Sequence, residues 1–436
     1  MAIEYIVKLL DGLYVGNDIK KEFNGKFKLD SREIEPGDSF ICINSGINFT
    51  QDAINRKVSL IICERKVNVN VDMIIVKDTK QALIVLGSYI RQKYLNIPLI
   101  GITGSVGKTT TKELISSILE TKYKVLKSSG NNNNLIGIPK TLFNLDSSYD
   151  ICVFEFGMNH LGEISALSKM CLPDKAVITN IGTSHIGYLK NKKNILKAKS
   201  EILDGMSSGV LYINGDDKYL NKIKYSNIVK VGTNKKCKLK ATNIVTTKER
   251  LYFNIRLNDR TYNIIFNIPS KALISNILLS IQIGLDNGID IESIIEKIKE
   301  YKPLNHRNEI IKLENNITII DDCYNSCLES LKSGIETLKH YKEEKVVIVG
   351  DILELGKSSK KIHKEVGKVL SCLKGIVILV GEEVKYAYHK GFLYFNNNEE
   401  IINYLDNIDL SNKVIYLKGS RKMKLEEIKE YLMERY

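Results

Sequence analysis

The 436-residue sequence contains no Cys-x-x-Cys pair. Its eight cysteines stand at positions 42, 63, 152, 171, 237, 323, 327 and 372, and Cys323 and Cys327 have no histidine motif beside them. That spacing argues against a zinc site and for scattered reduced thiols, as in a cytoplasmic protein. No apolar run approaches the length that spans a bilayer. The N-terminal MAIEYIVKLLDGLYVG has no basic segment ahead of a long apolar core, so a secretory signal is not expected there. A dominant Arg-rich arm is also missing: 64 Lys+Arg against 51 Asp+Glu give a net charge of +13 that is spread along the chain. Nucleic acid is therefore not an expected partner. A diffuse positive field suits polyanionic small molecules such as nucleotides. No repeat of solenoid period is present.

What is present is enough apolar residue, 43% against 26% charged, to give a chain of this length several buried cores. Short strand-like runs, SFICIN (39–44), SLIIC (59–63) and DMIIV (72–76), precede a helical connector at 81–94. From residue 97 the pattern becomes buried strands alternating with helices: IPLIGITG, DICVFEFG, KAVITNIG, GVLYING and NIVKVGT. Near-continuous apolar runs of this kind imply a parallel sheet covered on both faces. A two-stranded stretch at 251–268, turning at Asn-Asp-Arg, and helices at 272–285 and 291–301 complete that region. After Pro303 a further α/β set begins with ITIIDD, KVVIVGD, GIVILVG and KVIYLKG. The expectation is an α/β protein of three domains: a small mixed unit over 1–95, a central unit over 96–302 and a C-terminal unit over 303–436.

The strand IPLIGIT runs directly into GSVGKTTTKELISSIL. A glycine turn, a helix N-terminus and a lysine at one point form a cradle for the phosphates of a nucleoside triphosphate, with Thr109 placed for magnesium. The glycines at 101, 104 and 107 follow a three-residue step, and Ile102 stands where the strict pattern has its first glycine. In open α/β sheets ligands bind at the carboxyl ends of strands. Glu155 ends one such strand, as a candidate metal ligand, and Thr183-Ser184-His185 follows another. Lys197 and Lys199 lie on a helix that could reach back over the site, although a lysine on a helix is most often solvated. Four consecutive asparagines, 131–134, read by themselves as a flexible polar loop.

Taken in order, GITGSVGKTTTKE, GNNNNLIGIPKTL, EFGMNHLGEI, TNIGTSHI and ILKAKSEI resemble the Mur ligases. The resemblance continues through HRNEII, IIDDCYNS, GDILELGKSSKKIH and LKGSRKM, and reaches DSREIEPGDSFICI near the N-terminus. It implies a three-domain ligase with a central ATPase sheet and a Rossmann-like C-terminal domain that closes over ATP. It further implies a two-step synthesis, in which a carboxylate takes the γ-phosphoryl group and an amine then displaces phosphate.

Residue by residue, the resemblance implies nucleotide contacts from Gly104, Ser105, Val106, Gly107, Lys108, Thr109, Thr110, Asn276, Arg307, Asp322 and Tyr324. Catalytic roles fall to Lys108, His185 and Lys199, and two Mg²⁺ sites to Thr109, Glu155, His185 and Lys199. Lys199 matches a lysine that the family carries as a carbamate. Only about one lysine in 2,500 is neutral at pH 7, so that modification costs about 4.6 kcal/mol of deprotonation unless the site assists. Substrate contacts are implied for Ser31, Arg32, Asn131, Asn133, Asn134, Ser184 and Asn325. The asparagine run then becomes a substrate-side loop in which Asn132 is the variable position.

Gly350 to Gly356 stands in the position typical of the family member that joins D-alanyl-D-alanine to a UDP-N-acetylmuramoyl-tripeptide. An Asp-Asn-Pro-Arg motif, expected of the member that adds a diamino acid, is absent. The partners implied are thus ATP, the UDP-muramoyl-peptide and D-Ala-D-Ala, and the chain is expected to act as a monomer. The alternative is a divergent ligase of this family with another carboxylate and amine pair. Three departures bear on it: Ala272-Leu273 replaces His-Asn, Ser326-Cys327 replaces Ala-Asn, and Thr50-Gln51-Asp52 replaces Asp-Gly-His.

Overall fold

The computed structural model describes residues 1–436. The chain forms two compact units, each assembled from separate segments: Met1–Thr103, Lys122–Ala176 and Ser200–Val210 in one, Gly104–Thr121, Val177–Lys199 and Leu211–Tyr436 in the other.

In the first unit, short apolar runs form a five-stranded sheet of β1 (Leu13–Val15), β2 (Phe27–Lys28), β3 (Ser39–Ile41), β4 (Leu60–Cys63) and β5 (Asp72–Ile75). Its order is β1-β5-β4-β3-β2. Only β1 runs antiparallel to its neighbour. Both faces of β4 are buried, which is why its run is continuously apolar. Leu60 and Ile62 pack with α1 (Ile3–Leu10) and α3 (Thr79–Lys93). Ile61 and Cys63 pack on the other side with Phe40 and with Ala53 of α2 (Thr50–Asn55). The alternation follows from the two-residue period of a strand. Asp78 starts α3 by accepting the amides of Lys80 and Gln81.

The same unit contains the parallel strands β6 (Leu99–Thr103), β7 (Val125–Lys127) and β8 (Ile151–Glu155), with β8 between the other two. Arg91 of α3 is 1% exposed and gives its guanidinium to the carbonyls of Tyr94, Ile97 and Cys171. It thereby ties α3 to the end of α6 (Glu163–Cys171). Helix α5 (Gly137–Leu142) follows the asparagine run, and β9 (Lys175–Ile178) follows α6.

The second unit opens at the turn after β6, which leads into α4 (Lys108–Leu119), and includes α7 (Ile186–Leu189) and most of α8 (Lys192–Ser200). Parallel β10 (Val210–Asn214), β11 (Ile228–Gly232) and β12 (Leu239–Lys240) follow. Next comes an antiparallel sheet of β13 (Thr242–Thr246), β14 (Leu251–Leu257) and β15 (Arg260–Phe266), three-stranded where the sequence suggested two. Strand β13 is mostly exposed, so it carries little apolar signal. The hairpin turns on Asn258-Asp259 alone, both at positive φ, and Arg260 already pairs with Leu257. Helix α9 (Ile274–Asp286) is buried on nearly every side and packs against α4, with α10 (Ile291–Glu300) beside both.

The C-terminal sheet contains β16 (Glu309–Lys312), β17 (Thr318–Asp321), β18 (Glu344–Gly350), β19 (Ile376–Val380), β20 (Leu393–Phe395) and β21 (Lys413–Lys418). Its order is β16-β17-β21-β18-β19-β20. All pairs are parallel except β16 with β17. Helices α11 (Leu328–Leu338) and α12 (Ser359–Leu370) close one face, and α13 (Asn398–Asp406) and α14 (Glu426–Arg435) the other. The short edges β16 and β20 are half-exposed, and the sequence reading missed both.

Candidate active site

The turn between β6 and α4 is set by two glycines. Gly104 has φ +152°, and a Cβ there would lie 1.8 Å from Thr179 Oγ1; Gly107 has φ +82°, and its Cβ would lie 1.9 Å from Asn276 Nδ2. No other residue fits either place. The turn is braced from the segment after β9. Asn180 accepts the Ser105 amide on its carbonyl (3.0 Å) and the Val106 amide on Oδ1 (3.0 Å). Thr179 Oγ1 and Asn180 Nδ2 donate back to the Val106 carbonyl at 2.6 and 2.9 Å. Gly182 N donates to Ser105 Oγ, and Ser184 Oγ donates to Ser105 O. The result is a rigid turn at the N-terminus of α4, which favours an anion.

Two ammonium groups converge on this turn. Lys108 Nζ donates to the Gly104 carbonyl at 3.0 Å, and Lys199 Nζ donates to the same oxygen at 2.9 Å. Lys199 is 2% exposed, so the solvated reading of a helical lysine does not hold for it, whereas Lys197 is exposed. The shared oxygen keeps the two nitrogens within about 6 Å of each other. Thr109 and Thr110 are buried in the first turn of α4. Asn276 of α9, expected at an adenine, lies against the turn and donates from Nδ2 to the Gly107 carbonyl at 3.3 Å.

Glu155 ends β8 in register with Ile102 and is 3% exposed. Asn133 Nδ2 donates to its Oε1 at 3.0 Å, and the Glu155 amide donates to Ser128 Oγ. The Gly157 amide bonds the Asn133 carbonyl at 2.7 Å. Asn134 Oδ1 accepts the amides of Ile136 and Gly137 at the start of α5. Asn132 reaches only Ser129 Oγ, and Asn131 is exposed. Four identical residues thus hold four different positions.

His185 sits at φ +60°, with Nδ1 2.6 Å from Glu354 Oε2. The contact is close but does not have the geometry of an aligned hydrogen bond. Further along, the Arg307 guanidinium stacks 4.0 Å from the Tyr324 ring centroid. Asp322 is buried, accepts from Lys418 Nζ at 2.6 Å and Tyr416 OH at 3.2 Å, and burial pushes its carboxyl up against the pull of Lys418. Asn325 is exposed, and its carbonyl takes a second Lys418 bond. In the first unit, Ser31 Oγ donates to Asp52 Oδ2 at 2.6 Å, so a residue that departs from the family pattern anchors a substrate-side candidate. Arg32 is exposed and pairs bidentately with Asp30, at 2.9 and 2.7 Å.

Comparison with known proteins decides the family. Residues 102–284 match the Mur ligase middle domain, and residues 306–421 match the Mur ligase glutamate ligase domain. The chain belongs to the Mur ligase family. UDP-N-acetylmuramoyl-tripeptide--D-alanyl-D-alanine ligase of Bacillus subtilis is 34% identical to this Mur ligase, over 99% of this chain and 98% of the relative. A crystal structure of MurF from Acinetobacter baumannii superposes with TM-score 0.90 at 27% identity, covering 99% of this chain and 98% of that one. MurF of Thermotoga maritima in complex with ADP gives TM-score 0.85 at 26% identity, over 94% and 97%.

Within this Mur ligase the structure brings Lys108, Lys199, Asn276, Ser105 and Ser184 to one turn. It places Glu155 with Asn133, Arg307 with Tyr324, and Ser31 with Asp52. Thr109 and Glu155 each offer a hard oxygen donor of the kind Mg²⁺ takes, and Glu155 is buried with its Oε1 oriented by the Asn133 amide. Two groups escaped sequence reasoning, Glu329, which touches the 183–192 segment, and Lys429, while Glu354, inside the Gly350–Gly356 run, had been given no role of its own. Lys429 lies 3.0 Å from Asp321 in a cluster with His306 and Cys323. The sequence showed no histidine near Cys323, yet His306 Nδ1 lies 3.8 Å from its sulfur. Antiparallel pairing of β16 with β17 folds residue 306 back over residue 323, which no linear motif encodes.

Proposed function

We propose that this Mur ligase joins D-alanyl-D-alanine to UDP-N-acetylmuramoyl-tripeptide at the cost of ATP, in peptidoglycan precursor synthesis. The observation that carries the reading is the braced glycine turn with Lys108 and Lys199 on one carbonyl, in a chain alike end to end to ligases of that name. The substrate carboxylate attacks the γ-phosphorus, the bond to the β,γ-bridging oxygen breaks, and ADP leaves. The amine of the dipeptide then attacks the acyl phosphate carbon, the C–O bond breaks, and inorganic phosphate leaves with the product amide.

Such chemistry asks the protein for charge neutralisation and alignment rather than covalent help. In this reading Lys108 binds the β- and γ-phosphates, and the backbone amides of the turn and Thr110 hold the nucleotide. Arg307, Tyr324 and Asp322 complete the ATP site from the C-terminal sheet. Asn131, Asn133, Asn134, Ser184 and Asn325 face the peptide substrate, and Ser31 and Arg32 its UDP end. Thr109, Glu155, His185 and Lys199 would hold Mg²⁺, which supplies positive charge to the transferring phosphoryl group. Lys199 is proposed to carry a carbamate, which exchanges a buried cation for a metal-binding anion. Residues 1–95, 96–302 and 303–436 serve as UDP-substrate, ATP and amine domains of a cytoplasmic monomer.

The test is phosphate release from ATP with UDP-muramoyl-tripeptide, with and without D-Ala-D-Ala. Release that needs both substrates supports the proposal. Release indifferent to them makes the chain another kind of ATPase, and release with a different carboxylate and amine makes it a divergent ligase.

A further inference from the structure

The segment that leaves β9 and carries Ser184 and His185 is held by two acidic residues from the C-terminal part of the chain. Glu329, in the first turn of α11, uses both carboxylate oxygens. Oε2 accepts the Thr183 amide at 3.0 Å and the Thr183 hydroxyl at 2.6 Å, and Oε1 accepts Lys192 Nζ at 2.9 Å. These three bonds join positions 146 and 137 residues apart, so they close the chain over a long distance. Gly182 makes room, because a Cβ there would stand 3.1 Å from Glu329 Oε2. The other grip is Glu354, whose carbonyl accepts the Gly187 amide at 2.9 Å and whose carboxylate meets His185. Both Glu354 and His185 are in the left-handed region, at φ +61° and +60°. Strain of that kind persists only where the surroundings over-determine it.

The gripped segment is the one that braces the phosphate turn. Gly182 N bonds Ser105 Oγ, and Ser184 Oγ bonds Ser105 O. The two residues that make these bonds are the immediate neighbours of Thr183, Glu329's anchor. Lys192 begins α8, the helix that presents Lys199 to Gly104. Glu329 therefore bears on both sides of the turn, through Thr183 and through Lys192, without itself reaching it.

We infer that Glu329 is a positioning residue for nucleotide turnover: it locks the Thr183–Lys192 segment to α11, so that Ser184, His185 and Lys199 are set only while the C-terminal sheet is seated. This rests on the ligase reading above and adds to it a coupling residue that does not touch ATP.

The experiment uses the full chain and compares Glu329→Gln with Glu336→Gln, an exposed glutamate on the same helix. Glutamine keeps the shape but turns a carboxylate into an amide, a weaker acceptor for Thr183 and a poor partner for Lys192. Expected for Glu329→Gln are amide exchange at Thr183 faster by about tenfold or more, and kcat lower by about tenfold, from loss of charge-assisted bonds. KM for ATP should change less than about twofold, because the phosphate turn keeps its Thr179 and Asn180 bonds. Lys192→Met, which spares the carboxylate, should move the same two quantities in the same direction by less. Exchange at Thr183 equal in Glu329→Gln and Glu336→Gln overturns the inference. Faster exchange with unchanged kcat overturns it too, since the tie would then be only structural. If the unaltered chain releases no phosphate with both substrates, the ligase reading fails; the exchange comparison then still decides whether the tie exists.

Discussion

The asparagine run offers a sharp test, because the structure gives neighbouring identical residues different physical tasks. Asn133→Ala removes the amide that donates at 3.0 Å to Glu155, a carboxylate only 3% exposed. A hydrogen bond to a charged group contributes about 1.5–3 kcal/mol. If Glu155 serves the reaction, that range corresponds to a loss of about 10- to 100-fold in kcat/KM. The backbone of residue 133 keeps its bonds to Asn131 and Gly157, so the loop itself should survive. Asn134→Ala is a different perturbation. It removes the acceptor of the Ile136 and Gly137 amides, a helix-start cap whose loss costs about 0.5–2 kcal/mol of stability. Asn132→Ala removes one surface bond to Ser129 and should stay within about 0.5 kcal/mol. The assays are steady-state ligation and urea unfolding on all three variants. Expected are a kinetic defect for Asn133→Ala, a midpoint shift for Asn134→Ala and neither for Asn132→Ala. Equal ligation rates for the 132 and 133 variants would refute the reasoning and return the stretch to slack chain.

Lys199→Ala should abolish ligation, with partial recovery on adding a short carboxylic acid and none on adding bicarbonate; full activity without additive would remove Lys199 from the mechanism. Gly107→Ala forces a non-glycine residue to φ +82° and drives its Cβ into Asn276. The backbone term alone costs about 1–2 kcal/mol, so ADP affinity by calorimetry should fall about tenfold or more. Asp30→Asn frees Arg32 from its bidentate partner and should change KM for the UDP-linked substrate while leaving KM for ATP unaltered. The pH behaviour of that pair has a definite sign. The Arg32 guanidinium holds the Asp30 carboxyl down to about 2. The pair's contribution is thus complete above the ordinary carboxylate pKa near about 4 and is lost as pH falls toward 2. Activity between about pH 5 and 9 should therefore show no inflection from Asp30, and one that disappears in Asp30→Asn would count against the assignment.

Much of the fold was legible from residue order alone. Buried parallel strands such as β6 and β8 announce themselves as continuous apolar runs, because both faces are covered. The phosphate turn was legible for a related reason, since glycines, a lysine and a helix start are local features with local causes. Edge strands were not. β13, β16 and β20 are half-exposed or more, and each holds only two or three apolar residues, too short a run to mark a strand without the neighbour it pairs with.

Residue identities also determined which chemistry was available: a triphosphate cradle, oxygen ligands for a hard cation, and amides for a polar substrate. Tertiary structure alone decided which of those groups meet. By residue pattern Lys199 was one helical lysine among several, singled out only by the family resemblance; folding gives the physical difference, burying it on the Gly104 carbonyl beside Lys108. The resemblance already set Asn132 apart from Asn133, and the physical reason appears only in the fold, where Glu155 at the end of β8 meets Asn133. Glu329 has no local pattern at all, because its three donors come from 137 and 146 positions away. Linear spacing encodes what one turn or one strand can do. Contacts made across such distances depend on how separate elements pack, and that is settled by the whole core at once.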